Sequence, residues 1–405
     1  MALGHAARLA AHGEFDVDVV SLRAPEDERT QTVKRLDEVA REHYDVALAT
    51  WWETLPSVLA LRAEHRALLV QSAEERFYRR NEPFEQLGPA LALSAPVHFF
   101  AVARWLCDLV TELRPENRCW FTPNGIDKRT FTPRTTPISD GPLRILIEGQ
   151  HTLWFKGVED ALDAVARMGE PHTATLVALD PENAPQRDGL QVVGGLSGTE
   201  MRELYERHDV VLKLSRIESV GLAVVEAAHV GTPAVVTPYT GCEEVIRHGE
   251  NGLVVGFDDP DGCARALDRL ARDRDLLRSL STGAVESMSS WPSDDQATAT
   301  FADALRQLAE APEPSPEEAA RAAFSRWRAA TEIARVKRGE GDFRRRSLEG
   351  SVEWLEDALE SARRHIDELS RSRDAVGEQL AAVEGSPEYR AATVPRRLLD
   401  RVRRR

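Results

Sequence analysis

A chain of 405 residues with 42% hydrophobic residues is long enough to fold as two domains with a large core. Its formal net charge of −15 argues against a general nucleic-acid binder. The four cysteines form no C-x-x-C pair, which excludes the usual sequence signs of a zinc site or a disulfide framework. Since no apolar run is long enough to span a bilayer and no signal peptide opens the chain, we expect a cytoplasmic protein.

The first third of the chain alternates short apolar runs with amphipathic segments, the pattern of a parallel sheet covered by helices. The predicted strands are residues 17–21, 45–49, 67–70, 98–102 and 119–122. These elements predict an N-terminal Rossmann-like domain over residues 1–135. Residues 1–13 have the pattern of a helix, whereas such a domain normally opens on a strand, so we expect its first strand to be missing.

A second α/β pattern predicts another Rossmann-like domain over residues 136–312. Its predicted strands are 143–147, 173–177, 209–214, 234–237 and 251–255, and helices are predicted at 260–272, 275–288 and 294–310. Two such domains imply a cleft between them. Open α/β sheets bind ligands at the carboxyl ends of their strands, which are therefore the expected site.

Two carboxylates eight residues apart, Glu218 and Glu226, lie between two predicted strands of the second domain. The first is predicted just before a helix and the second about one turn inside it, and Gly221 allows another molecule to approach the backbone. A helix N-terminus favours an anion and carboxylates can hold hydroxyls, a combination that suits a sugar nucleotide. The helix dipole alone also favours Glu at this place, and Ser215 or Ser219 would then be only an N-cap.

A lysine motif follows the first predicted strand of the second domain. Gly149 stands at the turn, and Lys156 with Gly157 leads into a helix. A lysine and backbone N–H groups near a strand end can hold a diphosphate. On its own this pattern is weak, because a surface lysine is usually only solvated.

The composition changes after a proline-rich segment at 311–316. We predict a helical linker at 313–349, a coiled coil at 350–385 and a basic amphipathic tail at 386–405. Apolar residues at alternating three- and four-residue steps favour a homo-oligomer over a helix packed on its own chain. The arginine-rich tail suits either peripheral contact with an anionic membrane surface or a solvated terminus.

The motifs occur in a defined order: 123–127, then Gly149 with Lys156-Gly157, then Glu218-x7-Glu226, then Thr240-Gly241-x-x-Glu244, then 251–253. This series resembles the family-4 retaining glycosyltransferases, which have the two-domain GT-B fold. Three further segments are similar to a bacterial cell-surface polysaccharide branch that includes rhamnosyltransferases: 70–78, 154–157 and Trp291-Pro292.

The resemblance implies a nucleotide-sugar site on the second domain. Glu226 would accept hydrogen bonds from ribose hydroxyls, and Glu218 would lie beside hydroxyls of the donor sugar. Lys156 would neutralise the leaving diphosphate, so Lys156 and Glu218 are the candidate catalytic residues. The candidate binding residues are Gly149, Gln150, Lys156, Gly157, Glu218, Ser219, Val220, Gly221, Leu222 and Glu226.

The same resemblance implies that the first domain receives the acceptor, a glycan or a lipid-linked sugar. Trp51, Trp52 and Gln71 are the acceptor-side candidates, although an aromatic side chain is more often part of a core. The substrate would be a nucleotide-diphosphate sugar, transferred with retention and without a metal or other cofactor. No general base can be named from the sequence.

Two departures from the family keep alternatives open. Gln150 stands where an arginine is usual, so one diphosphate cation is missing unless Lys213, Arg216 or a nearby arginine supplies it. The glycine-rich turn after the first strand is also absent. The alternatives are a non-catalytic glycosyltransferase-like scaffold that holds a partner enzyme at the membrane, and another GT-B enzyme such as a sugar-nucleotide epimerase.

Overall fold

A computed structural model describes residues 2–11, 13–21, 33–79 and 83–324 of the chain. The coiled coil predicted at 350–385, the tail at 386–405 and most of the linker at 313–349 lie outside the described residues. Three parallel sheets with covering helices form the described part, which confirms the α/β prediction. The domain boundaries at 135 and 312 stay predictions, and we use "first domain" and "second domain" for the two halves they separate.

The first domain contains a short two-stranded sheet and a four-stranded parallel sheet. The short sheet pairs β1 (Val19–Ser21) with β2 (Val33–Arg35), and the larger one has the order β3 (His43–Ala49), β4 (Arg62–Val70), β5 (His98–Ala101) and β6 (Cys119–Phe121). Every residue of β5 is buried, as expected for an inner strand of a parallel sheet covered on both faces. The helices are α1 (Ala2–Ala11), α2 (Leu36–Val39), α3 (Leu55–Ala60), α4 (Pro83–Ala92) and α5 (Arg104–Leu113).

The second domain contains a six-stranded parallel sheet. Its strands are β7 (Leu143–Glu148), β8 (His172–Val177), β9 (Leu190–Val193), β10 (Val210–Lys213), β11 (Ala234–Val236) and β12 (Gly252–Val254). The helices are α6 (Val158–Ala166), α7 (Gly198–Arg207), α8 (Leu222–Val230), α9 (Pro260–Arg272), α10 (Arg274–Met288) and α11 (Asp294–Ala309).

The strand order in this sheet is β12-β11-β10-β7-β8-β9, so the chain leaves β7 toward one edge and returns at β10 on its other side. The crevice beyond the carboxyl ends of β7 and β10 is therefore the topological switch point of the sheet. Ligands of open α/β sheets bind at such a point. Glu148 ends β7 and Lys213 ends β10, which places one acidic and one basic side chain there.

The last helix of the second domain packs on the four-stranded sheet of the first domain. Phe301 of α11 lies 5.2 Å from Phe100 of β5, measured between ring centroids. At the start of this helix the Trp291 indole N–H donates to the Asn124 carbonyl at 3.0 Å. A Cβ at Gly125 would lie 2.5 Å from the Asp294 Cα, so this glycine permits the close approach of two backbones. The motifs at 123–127 and Trp291-Pro292 therefore meet as a packing joint between the two halves.

Candidate active site

Four charged residues at the switch point form one ion-pair network, made of Glu148, Lys156, Lys213 and Glu218. The Glu218 Oε1 atom accepts from Lys156 Nζ at 2.7 Å and from Lys213 Nζ at 3.0 Å. Lys213 also pairs with Glu148. The Ser215 hydroxyl donates to the same Glu218 oxygen at 3.0 Å. Because these contacts reach Oε1, Oε2 is the oxygen that we expect to accept from a ligand hydroxyl.

The two lysines of the network differ in their access to solvent. The Lys213 side chain is 4% exposed, whereas that of Lys156 is 24% exposed. Burial opposes the charge of Lys213, but Glu148 and Glu218 outweigh it and raise its pKa above the usual range. Burial likewise opposes the charge of Glu218, but Lys213 and Lys156 bring its pKa down to about 2. Lys213 therefore fixes Glu218 as a carboxylate, and Lys156 is the cation able to meet a ligand.

Backbone geometry explains how the Lys156 loop reaches Glu218. Gly157 has φ +64°, and a Cβ there would lie 1.9 Å from the Leu214 carbonyl oxygen. Only glycine allows this loop to lie against the end of β10. The Arg216 backbone N–H then donates to the Phe155 carbonyl at 2.7 Å, which holds the two loops together. Gly149 lies in the same turn, while the Gln150 amide donates to Thr152 of its own loop at 3.0 Å.

The loop between Glu218 and α8 has the backbone that a close ligand approach requires. Gly221 is the N-cap of α8 with φ +76°, so Ser219 does not cap this helix. The Tyr239 hydroxyl donates to the Val220 carbonyl at 3.0 Å and supports the loop from behind. Leu222 begins α8.

Glu226 lies inside α8 and faces the Tyr205 hydroxyl, which donates to its Oε2 atom at 3.2 Å. Burial raises the pKa of Glu226 to about 7, and the negative charge of Glu148 acts in the same direction. The Glu226 carboxyl is therefore partly protonated near neutral pH. A ligand that donates two hydroxyls to it would favour its ionised form.

The raised pKa of Glu226 predicts a pH-dependent stability. The carboxyl has an ordinary pKa of 4.5 in the unfolded chain and about 7 in the fold. Between these values the folded protein holds a proton that the unfolded chain has lost, so stability falls as pH rises from about 4.5 to about 7. We expect Glu226→Gln, which cannot ionise, to gain stability relative to the wild type across this window and to keep a constant difference above it. Urea denaturation at several pH values measures this, and a difference that does not vary with pH would contradict it.

An inter-domain cavity of about 210 Å³ lies against the ion-pair network. Its lining includes Trp51, Gln71, Glu74 and Phe77 from the first domain, and Lys156, Glu218 and Ser219 from the second. The structure thus brings together five residues that the sequence proposes for opposite sides of one site. Glu226 and the glycines of the donor motif lie in the neighbouring loops and helix and do not line this cavity.

An aromatic row forms part of the wall and joins the two domains. Phe77 stacks on Trp51 at 6.1 Å and on Phe155 at 4.8 Å between ring centroids. The Trp154 indole N–H donates to the Phe77 carbonyl at 3.0 Å. Trp51 and Phe77 therefore form an aromatic part of the cavity wall.

Trp52 is not brought to this cavity. Its ring packs on α4, where a Cβ added at Gly88 would lie 2.4 Å from it. Of the two neighbouring tryptophans, Trp52 therefore serves the packing of the first domain through its side chain. Its backbone lies near the Glu74 carboxyl and acts to lower the pKa of that group, against the larger effect of burial.

The cations considered as replacements for the missing arginine are already paired. Arg216 binds Asp160 at 2.8 Å and Asp258 at 2.6 Å, and Lys213 belongs to the ion-pair network. In this structure Lys156 therefore carries the charge that the network presents to the cavity.

The motif at 240–244 connects the first domain to the loop between Glu218 and α8. Glu244 accepts from the backbone N–H groups of Arg104 at 3.1 Å and Trp105 at 2.9 Å, at the start of α5. The Trp105 indole donates to the Ser219 carbonyl at 2.8 Å. A Cβ at Gly241 would lie 2.4 Å from the Trp105 indole nitrogen, so this glycine makes the contact possible.

Two absences apply only to the part of the chain that the structure describes. There, no group of three or more His, Cys, Asp or Glu side chains is arranged to hold a metal ion. No helix in those ranges is long and apolar enough to cross a membrane. The expectation of metal-independent chemistry stays a prediction.

Comparisons with known proteins find a family model that matches part of the second domain. Residues 140–286 match the family model described as glycosyl transferases group 1. An uncharacterised glycosyltransferase of Methanocaldococcus jannaschii is 31% identical over 183 residues, which are 39% of this chain and 46% of the relative. The N-acetyl-alpha-D-glucosaminyl L-malate synthase of Bacillus anthracis is 37% identical over 207 residues, 46% of this chain and 54% of the relative. The chain thus spans about half the length of these curated relatives.

Solved structures resemble the fold. Sucrose-phosphate synthase from Thermosynechococcus elongatus superposes with a TM-score of 0.61 at 17% identity, over 74% of this chain and 90% of that one. HepE from Anabaena, solved in complex with UDP-glucose, gives 0.61 at 15% identity, over 75% and 94% of the two chains. The chain is thus similar to the group 1 glycosyltransferases over residues 140–286, and the solved structures show that it has the GT-B fold.

Proposed function

We propose that the protein is a glycosyltransferase that moves a sugar from a nucleotide-diphosphate sugar to a glycan or lipid-linked acceptor. The observation that carries this proposal is the inter-domain cavity, where one accessible cation, Lys156, adjoins a carboxylate, Glu218, that a buried lysine keeps ionised. The group 1 match covers this network, and the related fold of HepE was solved with UDP-glucose.

The network suggests how the donor is bound and cleaved. Diphosphate oxygens would draw Lys156 away from Glu218, which keeps Lys213 as its partner and accepts sugar hydroxyls through Oε2. The bond between the anomeric carbon and the phosphate oxygen then breaks, and its electron pair stays on the phosphate beside Lys156. The acceptor oxygen bonds to the anomeric carbon, and its proton passes to the leaving phosphate oxygen.

The finer parts of the proposal come from the family-4 resemblance. They are retention of anomeric configuration, transfer without a metal, and a role in assembling bacterial surface polysaccharide on the cytoplasmic side of the membrane. The predicted coiled coil would join copies of the chain, and the arginine-rich tail would contact the anionic membrane surface.

Product analysis with labelled donors tests the proposal. Full-length protein is incubated with a panel of nucleotide-diphosphate sugars and a membrane extract as the source of acceptor, and labelled products are separated. We expect free nucleotide diphosphate together with sugar attached to a new acceptor. Labelled sugar that stays on the nucleotide in altered form would indicate an epimerase. Binding of a donor with no turnover would favour the scaffold alternative, which the already paired Arg216 and Lys213 also favour.

A further inference from the structure

Glu74 is a buried carboxyl on the cavity wall that the proposed chemistry does not use. It follows β4 in a short 3₁₀ helix, Glu74–Phe77, and only 7% of the residue is exposed. It faces the same cavity as Lys156 and Glu218 but belongs to the opposite domain. The segment 70–78 contains it, yet the sequence alone gives it no role.

The surroundings of Glu74 do not satisfy a buried carboxyl. Among the described residues, the Trp52 backbone is the group that favours its charged form. Within the described ranges, no lysine, arginine or histidine forms an ion pair with it, and Lys156 across the cavity is bound to Glu218. Burial raises the pKa of Glu74 to about 8, and nearby Glu75 adds to the rise. The carboxyl is therefore mostly protonated at neutral pH and can both donate and accept a hydrogen bond.

The rest of the cavity wall suits a sugar ring. Trp51 and Phe77 provide aromatic surface, on which the apolar face of a sugar can stack. The Gln71 amide nitrogen donates to the Thr50 carbonyl at 2.5 Å. This contact fixes the side chain and leaves the amide oxygen as a hydrogen-bond acceptor. Sugar hydroxyls both donate and accept, as the neutral Glu74 carboxyl does.

We propose that Glu74 binds a hydroxyl of a sugar ring that occupies the inter-domain cavity. A hydrogen-bonded hydroxyl would offset the cost of burying this carboxyl, which an apolar residue at the same place would avoid. The ring belongs either to the donor or to the acceptor. The inference rests on the proposed function, since it takes a sugar as the occupant of the cavity.

Binding measurements on two substitutions test the role of Glu74. Glu74→Ala removes the carboxyl, whereas Glu74→Gln keeps a group that donates and accepts. Calorimetry compares each variant with the wild type for a nucleotide diphosphate, for the matching nucleotide-diphosphate sugar, and for free monosaccharides added to nucleotide-loaded protein. Glu64→Gln, which changes an exposed carboxyl of the first domain outside the cavity lining, is the matched control.

The expected results separate the two sources of the sugar. If the donor sugar contacts Glu74, Glu74→Ala binds the nucleotide-diphosphate sugar about tenfold more weakly and the nucleotide diphosphate unchanged. If the acceptor contacts it, only the binding of free sugar falls. In both cases Glu74→Gln retains most of the affinity.

Two results would overturn the inference while leaving the proposed function intact. In the first, Glu74→Ala and the wild type bind the nucleotide-diphosphate sugar with equal affinity, and they also bind the free sugar with equal affinity. In the second, the sugar adds nothing to the binding affinity of the wild type or of any variant, although the nucleotide diphosphate binds. Failure of the wild type to bind any nucleotide diphosphate would instead refute the proposed function. Thermal unfolding of each variant shows whether it is folded, and Glu74→Met, which keeps the size of the side chain but removes the carboxyl, replaces Glu74→Ala if that variant is not folded.

Discussion

Lys156→Met should lower the rate of nucleotide-diphosphate release from the donor by roughly 10²–10³-fold, the usual effect of removing one group that stabilises transition-state charge. Lys156 is the accessible cation of the ion-pair network, and in the proposed reaction negative charge develops on the leaving diphosphate as the glycosidic bond breaks. Loss of this lysine should affect stability less than turnover, because Glu218 keeps Lys213 and Ser215 as partners.

A matched control for this variant is Lys34→Met. Lys34 is also a lysine in an ion pair, at 2.6 Å from Asp18, but it lies on the short sheet of the first domain and is 41% exposed. We expect this control to release nucleotide diphosphate at the wild-type rate. Equal rates for Lys156→Met and the control would show that Lys156 has no part in the chemical step.

Lys213→Met is expected to lower the free energy of unfolding by about 3–5 kcal/mol, the range measured when one partner of a buried ion pair is removed. The substitution leaves Glu148 and Glu218 at the switch point without the buried cation between them. Urea denaturation measures the loss. The same Lys34→Met variant should lose at most about 1 kcal/mol, because Lys34 is 41% exposed and its ion pair is screened by solvent.

A second substitution separates lost charge balance from lost packing. Glu148→Gln removes one of the two carboxylates that Lys213 holds. If unbalanced charge causes the destabilisation, the double variant Lys213→Met/Glu148→Gln should be more stable than Lys213→Met alone. A double variant that loses the sum of the two single effects would mean that the Lys213–Glu148 contact contributes little coupling.

The ion-pair network shows which part of the site could be predicted from the sequence. Lys156 and Glu218 are found through local motifs, since each stands next to a glycine turn at a strand end. The partnership of Lys213 with Glu148 is not visible locally, because it depends on β7 and β10 being neighbours although 65 residues separate the two side chains. The signal available was a single lysine at the end of an otherwise apolar strand, which needs a buried partner.

In the first domain, too, some features could be predicted from the sequence and others could not. Trp51 and Trp52 are adjacent, and only the backbone path decides that one ring faces the cavity and the other packs beside Gly88. The edge strand β9 was not predicted, since Leu190–Val193 is short and only partly buried. The fold class was predictable because its strands are mostly continuous apolar runs, which is the pattern of covered parallel sheets.

The position of a motif in the sequence does not reveal what the motif does in the structure. The segments 123–127 and 240–244 carry part of the resemblance to glycosyltransferases, yet in the structure they join the two halves of the molecule. Gly125 lets the chain lie against Asp294, and Gly241 lets Trp105 reach Ser219. These contacts hold the loop between Glu218 and α8 against the first domain. The motifs therefore position the site residues.

The central claim is that the cleft binds a nucleotide diphosphate through the second domain, with Glu226 as the ribose ligand. Calorimetric titration of the wild type and of Glu226→Ala with a panel of nucleotide diphosphates tests it most directly. We predict that at least one nucleotide diphosphate binds the wild type, and that the same nucleotide binds Glu226→Ala at least about tenfold more weakly. Absence of binding to the wild type, or equal affinity in both proteins, would contradict the claim.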